Sequence, residues 1–344
     1  MKTVTSAFTA LEKQEWPFVF FRLPGENKIQ LYYQKNVSLH YTSNLDEDGF
    51  VFAPFNKKDR LPYIPSTNKN TFAFTNIPSS NSPKTSYNNS KAKADFIALV
   101  EKVKRILITK RFQKIVVSRS FKSDSNTPLE TILNRLLFRY PEAMVYLWSH
   151  PKVGTWFGAT PERLLSKKGD TMQTMALAAT QTVKKNNQYH WSAKERNEQA
   201  LVTQQIVEDL SSFISRDALK ISTPYNKIAG NVVHLCTDLQ AKIANIPLRQ
   251  VIDVLHPTPA VGGIPRQQAI DFIDKEEGYD RQYYTGFLGP FSSINTHLFV
   301  NLRCAKFSNQ RVTLFVGAGI TSESEAGQEW EETQCKAETL LAAL

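Results

Sequence analysis

A chain of 344 residues can bury a large core, and 41% hydrophobic with 22% charged residues are the proportions of an ordinary soluble globule of one large or two modest domains. The net charge of +10 is dispersed in pairs such as Lys57-Lys58 and Lys167-Lys168, with no long basic run or RNA-binding aromatic motif. This excludes a nucleic-acid binder as the first reading and favours a solvated basic surface or an anionic metabolite.

In chain order, Phe18-Val19-Phe20-Phe21-Arg22 and Gly49-Phe50-Val51-Phe52-Ala53 predict short strands within a β-rich N-terminal subregion, residues 1–64. Residues 65–93 turn to Ser, Asn, Thr, Lys and Pro and read as a loop or linker. From residue 94 to 344 strands and helices alternate as one larger domain. A helix over 94–110 places Ile97, Val100, Val103 and Ile106 on one face, and strands follow at 114–119, 144–148 and 155–159. A helix covers 195–212, and residues 297–304 and 311–317 read as two paired strands. The expected fold is α+β, with the smaller N-terminal piece folded onto the domain. No apolar run reaches the length of a membrane span, the start lacks a secretion signature, and three cysteines without C-x-x-C spacing suggest neither disulfides nor zinc. A cytoplasmic monomer is the expectation.

The chemistry-bearing residues begin with two pairs of acids. Glu329 and Glu332, with Lys336, fall within about 60° of one another on a helical wheel, beside an apolar stripe of Trp330, Ala337, Leu340 and Leu341. Glu195 and Glu198 repeat the spacing, with Val202 and Ile206 continuing their stripe. Carboxylates at the edge of a buried face are costly unless compensated, and a hard divalent cation such as Mg2+ does so. The plain alternative is four solvated acids.

Lys114 opens a β-forming run, where a partly dry pocket lowers a lysine's pKa and suits it to act as a base; a strand-edge lysine in water is the ordinary alternative. Glu162 follows a proline turn between apolar strands, where burial raises its pKa; pairing with Arg163 is the alternative. Arg303, read as lying within a strand of apolar neighbours, needs an anion or an internal acid. Gly317-Ala318-Gly319 reads as a turn whose amides could bind a carboxylate.

Eight motifs in order carry a resemblance. They are Lys114 to Arg119, Thr160-Pro161-Glu162, Lys194-Glu195 with Glu198, and His256-Pro257-Thr258-Pro259-Ala260-Val261-Gly262-Gly263. Asp280-Arg281, Arg303-Cys304-Ala305-Lys306, Gly317-Ala318-Gly319-Ile320 and Glu332-Thr333 with Lys336 complete the series. From about Phe96 onward the chain resembles the chorismate-utilising enzymes, and within them it is most similar to isochorismate synthases. The resemblance implies large β-sheets flanked by helices and a Mg2+-dependent site for chorismate. Glu198 and Glu332 would ligate the metal, and Glu195 and Glu329 would hold its waters. Arg303 and the amides of Gly317, Ala318 and Gly319 would hold a carboxylate, with Lys336 and Tyr284 nearby. Thr180, His234 and Ala260 also fall at family site positions.

By the same resemblance Lys114 would activate water and Glu162 would protonate the departing C4 hydroxyl. Ala178 stands where aminodeoxychorismate synthases place a nucleophilic lysine, so that covalent route is closed. The implied function is isochorismate synthesis, for menaquinone or a siderophore, with salicylate synthase and a non-catalytic chorismate-binding subunit as rivals. One departure is Ala179, where the family usually has glycine; a positive φ there would cost roughly 1 kcal/mol or more.

Overall fold

The computed structural model describes residues 3–56, 59–74, 89–184, 186 and 188–344. The N-terminal part forms helix α1 (Val4–Lys13) and strands β1 (Phe18–Arg22), β2 (Lys28–Tyr33), β3 (His40–Thr42), β4 (Gly49–Ala53), β5 (Leu61–Pro65) and β6 (Asn68–Ala73). Helix α2 (Ser90–Ile108) leads to β7 (Lys114–Asp124), α3 (Leu129–Arg139), β8 (Met144–His150), β9 (Gly154–Thr160), β10 (Arg163–Lys168) and β11 (Thr171–Thr182). Then come α4 (Ala193–Leu210), β12 (Lys220–Ile221), β13 (Tyr225–Ala229), β14 (Val232–Lys242), α5 (Leu248–Leu255), β15 (Gly263–Ile264) and α6 (Arg266–Glu276). The chain continues with β16 (Phe287–Phe291), β17 (Asn295–Val300), β18 (Cys304–Ser308), β19 (Arg311–Ile320) and α7 (Ala326–Leu341).

These strands make two large sheets. One runs β15-β7-β19-β18-β9-β8-β1-β2-β6; the other runs β12-β14-β11-β10-β17-β16-β4-β5-β3, with β13 on β14. Strands β1, β4, β8 and β9 are buried along most of their length because both faces are covered. The layer between the sheets is aromatic: Phe21, Phe50, Phe52, Tyr146, Trp148, Trp156 and Phe315 pack in one cluster with residues of both sheets. Helices cover the outer faces, with α3 and the end of α7 against one sheet and α4 with α5 against the other.

Several local expectations change once distant pairing is seen. Both sheets run through the N-terminal boundary: β1 pairs with β8, and β4 pairs with β16. The stretch expected as a loop from residue 65 contains β6, paired with β2, and α2 begins at Ser90; residues 75–88 lie outside the described residues. The polar composition of Asn68-Lys69-Asn70-Thr71 reflects an edge strand with alternate residues in solvent. Residues 297–304 are not one strand: β17 belongs to one sheet and β18 to the other, so β19 pairs with β18 and not with β17. Arg303 stands at that crossover with φ +47°. Gly317-Ala318-Gly319 is not a turn but continues β19, paired with Ser118, Val117 and Val116 of β7.

Candidate active site

The sheets and two helices meet around one pocket. One sheet brings Lys114 and Val116 from β7 and Phe315, Gly317 and Gly319 from β19. The other brings Ala178, Ala179 and Thr180 from β11 and His234 from β14. Helix α4 contributes Glu198, and α7 contributes Glu332 and Lys336. Both helices hold their faces by the stripes expected of them, since Val202, Ile206, Trp330, Ala337 and Leu340 are all buried.

Lys114 is 1% exposed, and its Nζ lies 3.0 Å from Glu198 Oε1. A buried ammonium without such a partner is strongly destabilising, so the pair accounts for how a lysine occupies the start of an otherwise apolar strand. The neighbouring Gly319 leaves the room: a Cβ there would stand 2.7 Å from Lys114 Cε and 2.9 Å from Glu198 Oε1.

Glu162 is 3% exposed at the link between β9 and β10, and Thr258 Oγ1 donates to its Oε1 at 3.2 Å. Burial raises its pKa to about 7, against the smaller lowering by Thr258, Lys114 and Lys336. Arg163 does not pair with it; that guanidinium donates to Asp238 instead.

His234 is buried, with Nδ1 3.0 Å from the carbonyl of Ala179 and 3.2 Å from Thr180 Oγ1. Burial, then Arg303 and Lys336, lower its pKa to about 3, so the ring is neutral. With Nδ1–H donated to Ala179, Nε2 accepts from Arg303 at 3.4 Å. Arg303 also donates to Thr339 Oγ1 at 3.0 Å. It makes no ion pair with a carboxylate among the described residues, and burial pushes its pKa down. A desolvated guanidinium in that state is suited to an incoming carboxylate.

Lys336 Nζ lies 2.6 Å from Glu332 Oε1 and donates to the carbonyl of Gly317 at 2.9 Å. Tyr284 stacks on Phe315 at 5.5 Å, with burial raising its pKa, and its hydroxyl stands 3.0 Å from where a Gly317 Cβ would be. Strand β18 pairs with β19 only as far as Leu314, so the far edge of residues 315–320 faces the pocket rather than another strand.

Three predicted residues stand apart from the pocket wall. Glu195 closes the capping box of α4, accepting from the Ser192 amide at 2.7 Å and from Gln181 Nε2 at 2.8 Å. Glu329 is 5% exposed and pairs with Lys194 at 3.4 Å. Ala318 points the other way along β19, into the cluster of Ile115, Val117 and Trp330. Residues not singled out from sequence also line the pocket, among them Val116, Leu302 and Phe315. Phe315 had a signal, since strand alternation puts it on one face with Gly317 and Gly319.

Among the described residues no three His, Cys, Asp or Glu side chains form a preassembled metal cluster. The acids nevertheless fit a divalent cation. Burial raises the Glu329 pKa to about 7, and repulsion from Glu332 and Glu198 adds to it. Crowded carboxylates offering only oxygen donors match a hard cation.

A family model described as "Chorismate binding enzyme" matches residues 57–344. The vibriobactin-specific isochorismate synthase of Vibrio cholerae is 33% identical over 246 residues, covering 67% of this chain and 61% of that protein. Isochorismate synthase MenF of Haemophilus influenzae is 31% identical over 206 residues, 57% of this chain and 47% of that protein. This chain therefore spans less than two thirds of the length of these curated relatives. Among solved structures, the menaquinone-specific isochorismate synthase MenF from Escherichia coli superposes with a TM-score of 0.81 at 20% identity, covering 99% of this chain and 92% of that one.

Proposed function

This chain belongs to the chorismate-binding enzymes, and from that footing we propose that it is an isochorismate synthase, an isomerase that moves the hydroxyl of chorismate from C4 to C2. The observation that carries this reading is the pairing, in one pocket, of buried Lys114 with a Glu162 that burial keeps available as an acid near neutrality.

Lys114 takes a proton from water while the water oxygen bonds to C2. The C1=C2 electrons move to C1=C6, the C5=C6 electrons move to C4=C5, and the C4–O bond breaks toward the hydroxyl. Glu162 protonates that leaving group, so one water enters, one leaves, and a proton exchange with solvent resets the pair. Arg303, with no carboxylate ion pair among the described residues, suits one of the two substrate carboxylates, and neutral His234 holds its fork in place. Thr180, Ala260 and Tyr284 line the same pocket and would flank the ring.

Glu198 and Glu332 would hold Mg2+ directly, with Glu195 and Glu329 in support, and the bound ion would grip the second substrate carboxylate and offset its charge. For the product's use we propose menaquinone synthesis over a siderophore. Loss of siderophore with unchanged menaquinone in a strain lacking this chain would reverse that assignment.

The test is to incubate the protein with chorismate and Mg2+, with and without a chelator, and to resolve the products by chromatography. Metal-dependent isochorismate without pyruvate is expected. Stoichiometric salicylate and pyruvate would make the chain a salicylate synthase, and absence of turnover would leave a chorismate-binding protein.

A further inference from the structure

Arg281 is 3% exposed and lies beyond α6, where its guanidinium reaches β7 and the Val261 turn as well as Glu277 and Thr285, four residues to either side of it. It donates to the carbonyl of Val116 in β7 at 2.8 Å, to the carbonyl of Val261 at 2.9 Å and to Thr285 Oγ1 at 3.2 Å. Its Nε donates to Glu277 Oε2 at 2.7 Å, and a second nitrogen donates to Glu277 Oε1. Glu277 also accepts from the Ser118 amide at 2.7 Å and from Ser118 Oγ, while Ser118 Oγ and Tyr279 OH stand 2.6 Å apart. The Phe55 ring covers the guanidinium at 4.6 Å.

Three of the groups that Arg281 reaches belong to the pocket wall. Val116, Val261 and Thr285 line it, whereas Arg281 and Glu277 do not. Lys114, Val116 and Ser118 alternate on one face of β7, so the clamp grips the strand just beyond the lysine. Val261 and Gly262 donate their amides to the carbonyl of Thr258 at 3.0 and 2.9 Å, and Thr258 is the residue that donates to Glu162. One guanidinium therefore ties the strand that carries the base to the turn that holds the acid.

A buried ion pair adds little net stability over well-packed apolar groups. What it supplies is direction, because a planar guanidinium presents its donors at fixed angles. We propose that Arg281, oriented by Glu277, is a positioning residue that sets the spacing between Lys114 and Glu162 without touching substrate. The inference rests on the isochorismate synthase reading and assigns that reaction a residue outside the pocket.

The experiment compares kcat and KM for chorismate, per folded protein, in wild type, Arg281→Lys, Glu277→Gln and Ser118→Ala. Arg22→Lys serves as control: Arg22 is 1% exposed and donates to the carbonyls of Leu137 and Tyr140, but does not line the pocket. Arg281→Lys and Glu277→Gln are expected to lower kcat about 10- to 100-fold, the scale of a misplaced catalytic group, with KM little changed. Ser118→Ala removes one hydroxyl from the clamp and gives a smaller loss in the same direction. Arg22→Lys lowers Tm and leaves kcat per folded protein unchanged. Wild-type kcat in both Glu277→Gln and Ser118→Ala overturns the proposal, as does an equal loss in the Arg22 control; these two variants decide if Arg281→Lys does not fold. Isochorismate absent from the wild-type reaction, which is run first, overturns the underlying reading itself.

Discussion

Glu162 follows a proline and precedes an arginine, a setting in which a carboxylate is usually solvated, yet only 3% of it is exposed. Burial lifts its pKa from 4.5 to about 7, so its protonated fraction falls as pH rises through neutrality. If it is the acid, kcat/KM for chorismate declines above about pH 7, and Glu162→Gln lowers turnover by roughly 10²- to 10⁴-fold while calorimetry still detects binding. The same shift has a stability consequence of definite sign. The folded state holds this proton more tightly than the unfolded state, so its contribution is complete below pH 4.5 and is lost as pH rises toward 7. The loss totals roughly 3 kcal/mol and disappears in Glu162→Gln. Urea unfolding of both proteins at pH 5 and pH 8 checks this, and an identical pH slope in the two would remove the argument. Residue type and neighbours suggested a raised pKa here, but the extent of burial depended on Thr258 and other walls distant in sequence.

Among the elements, α4 and α7 were legible because a helix's face is written in a local period: their buried stripes are the ones the spacing marks. Strand β19 was misread at its end because glycine is ambiguous without knowledge of its partner. Gly317 and Gly319 resemble a turn, but β7 pairs with them, and Tyr284, Lys114 and Glu198 occupy the space a side chain would need. Strand β11 carries a bulge between Ala178 and Thr180, with Ala179 at φ +57°. The conditional cost attached to alanine in place of glycine therefore applies. Ala179→Gly is expected to raise unfolding stability by roughly 0.5–1 kcal/mol, the relief of left-handed strain less the added freedom of the unfolded chain. An unchanged or lower denaturant midpoint would mean that the Ala179 methyl earns its place by packing.

At the scale of the molecule, both sheets depend on the N-terminal strands. β1 covers the edge of β8, and β4 covers the edge of β16. Their aromatic side chains, Phe21, Phe50 and Phe52, fill the layer between the sheets. A fragment starting at residue 89 would expose two strand edges and that aromatic layer, so it should be recovered as aggregate. A monomeric, cooperatively unfolding fragment would show instead that residues 94–344 form a self-sufficient unit.

Sequence by itself determined what local periodicity encodes: the α+β character, the helices bearing paired acids, and the strand that begins with Lys114. The resemblance added which side chains to seek in one place. Only the tertiary structure decided that the glycine segment is a strand, that Arg303 sits where the chain crosses between sheets, and that Glu195 caps its own helix while Glu198 meets Lys114. Those outcomes rest on hydrogen-bond partners and close contacts supplied by chain remote in sequence, as when β19 pairs with β7 and Glu198 meets Lys114. No local pattern of residues specifies such a partner.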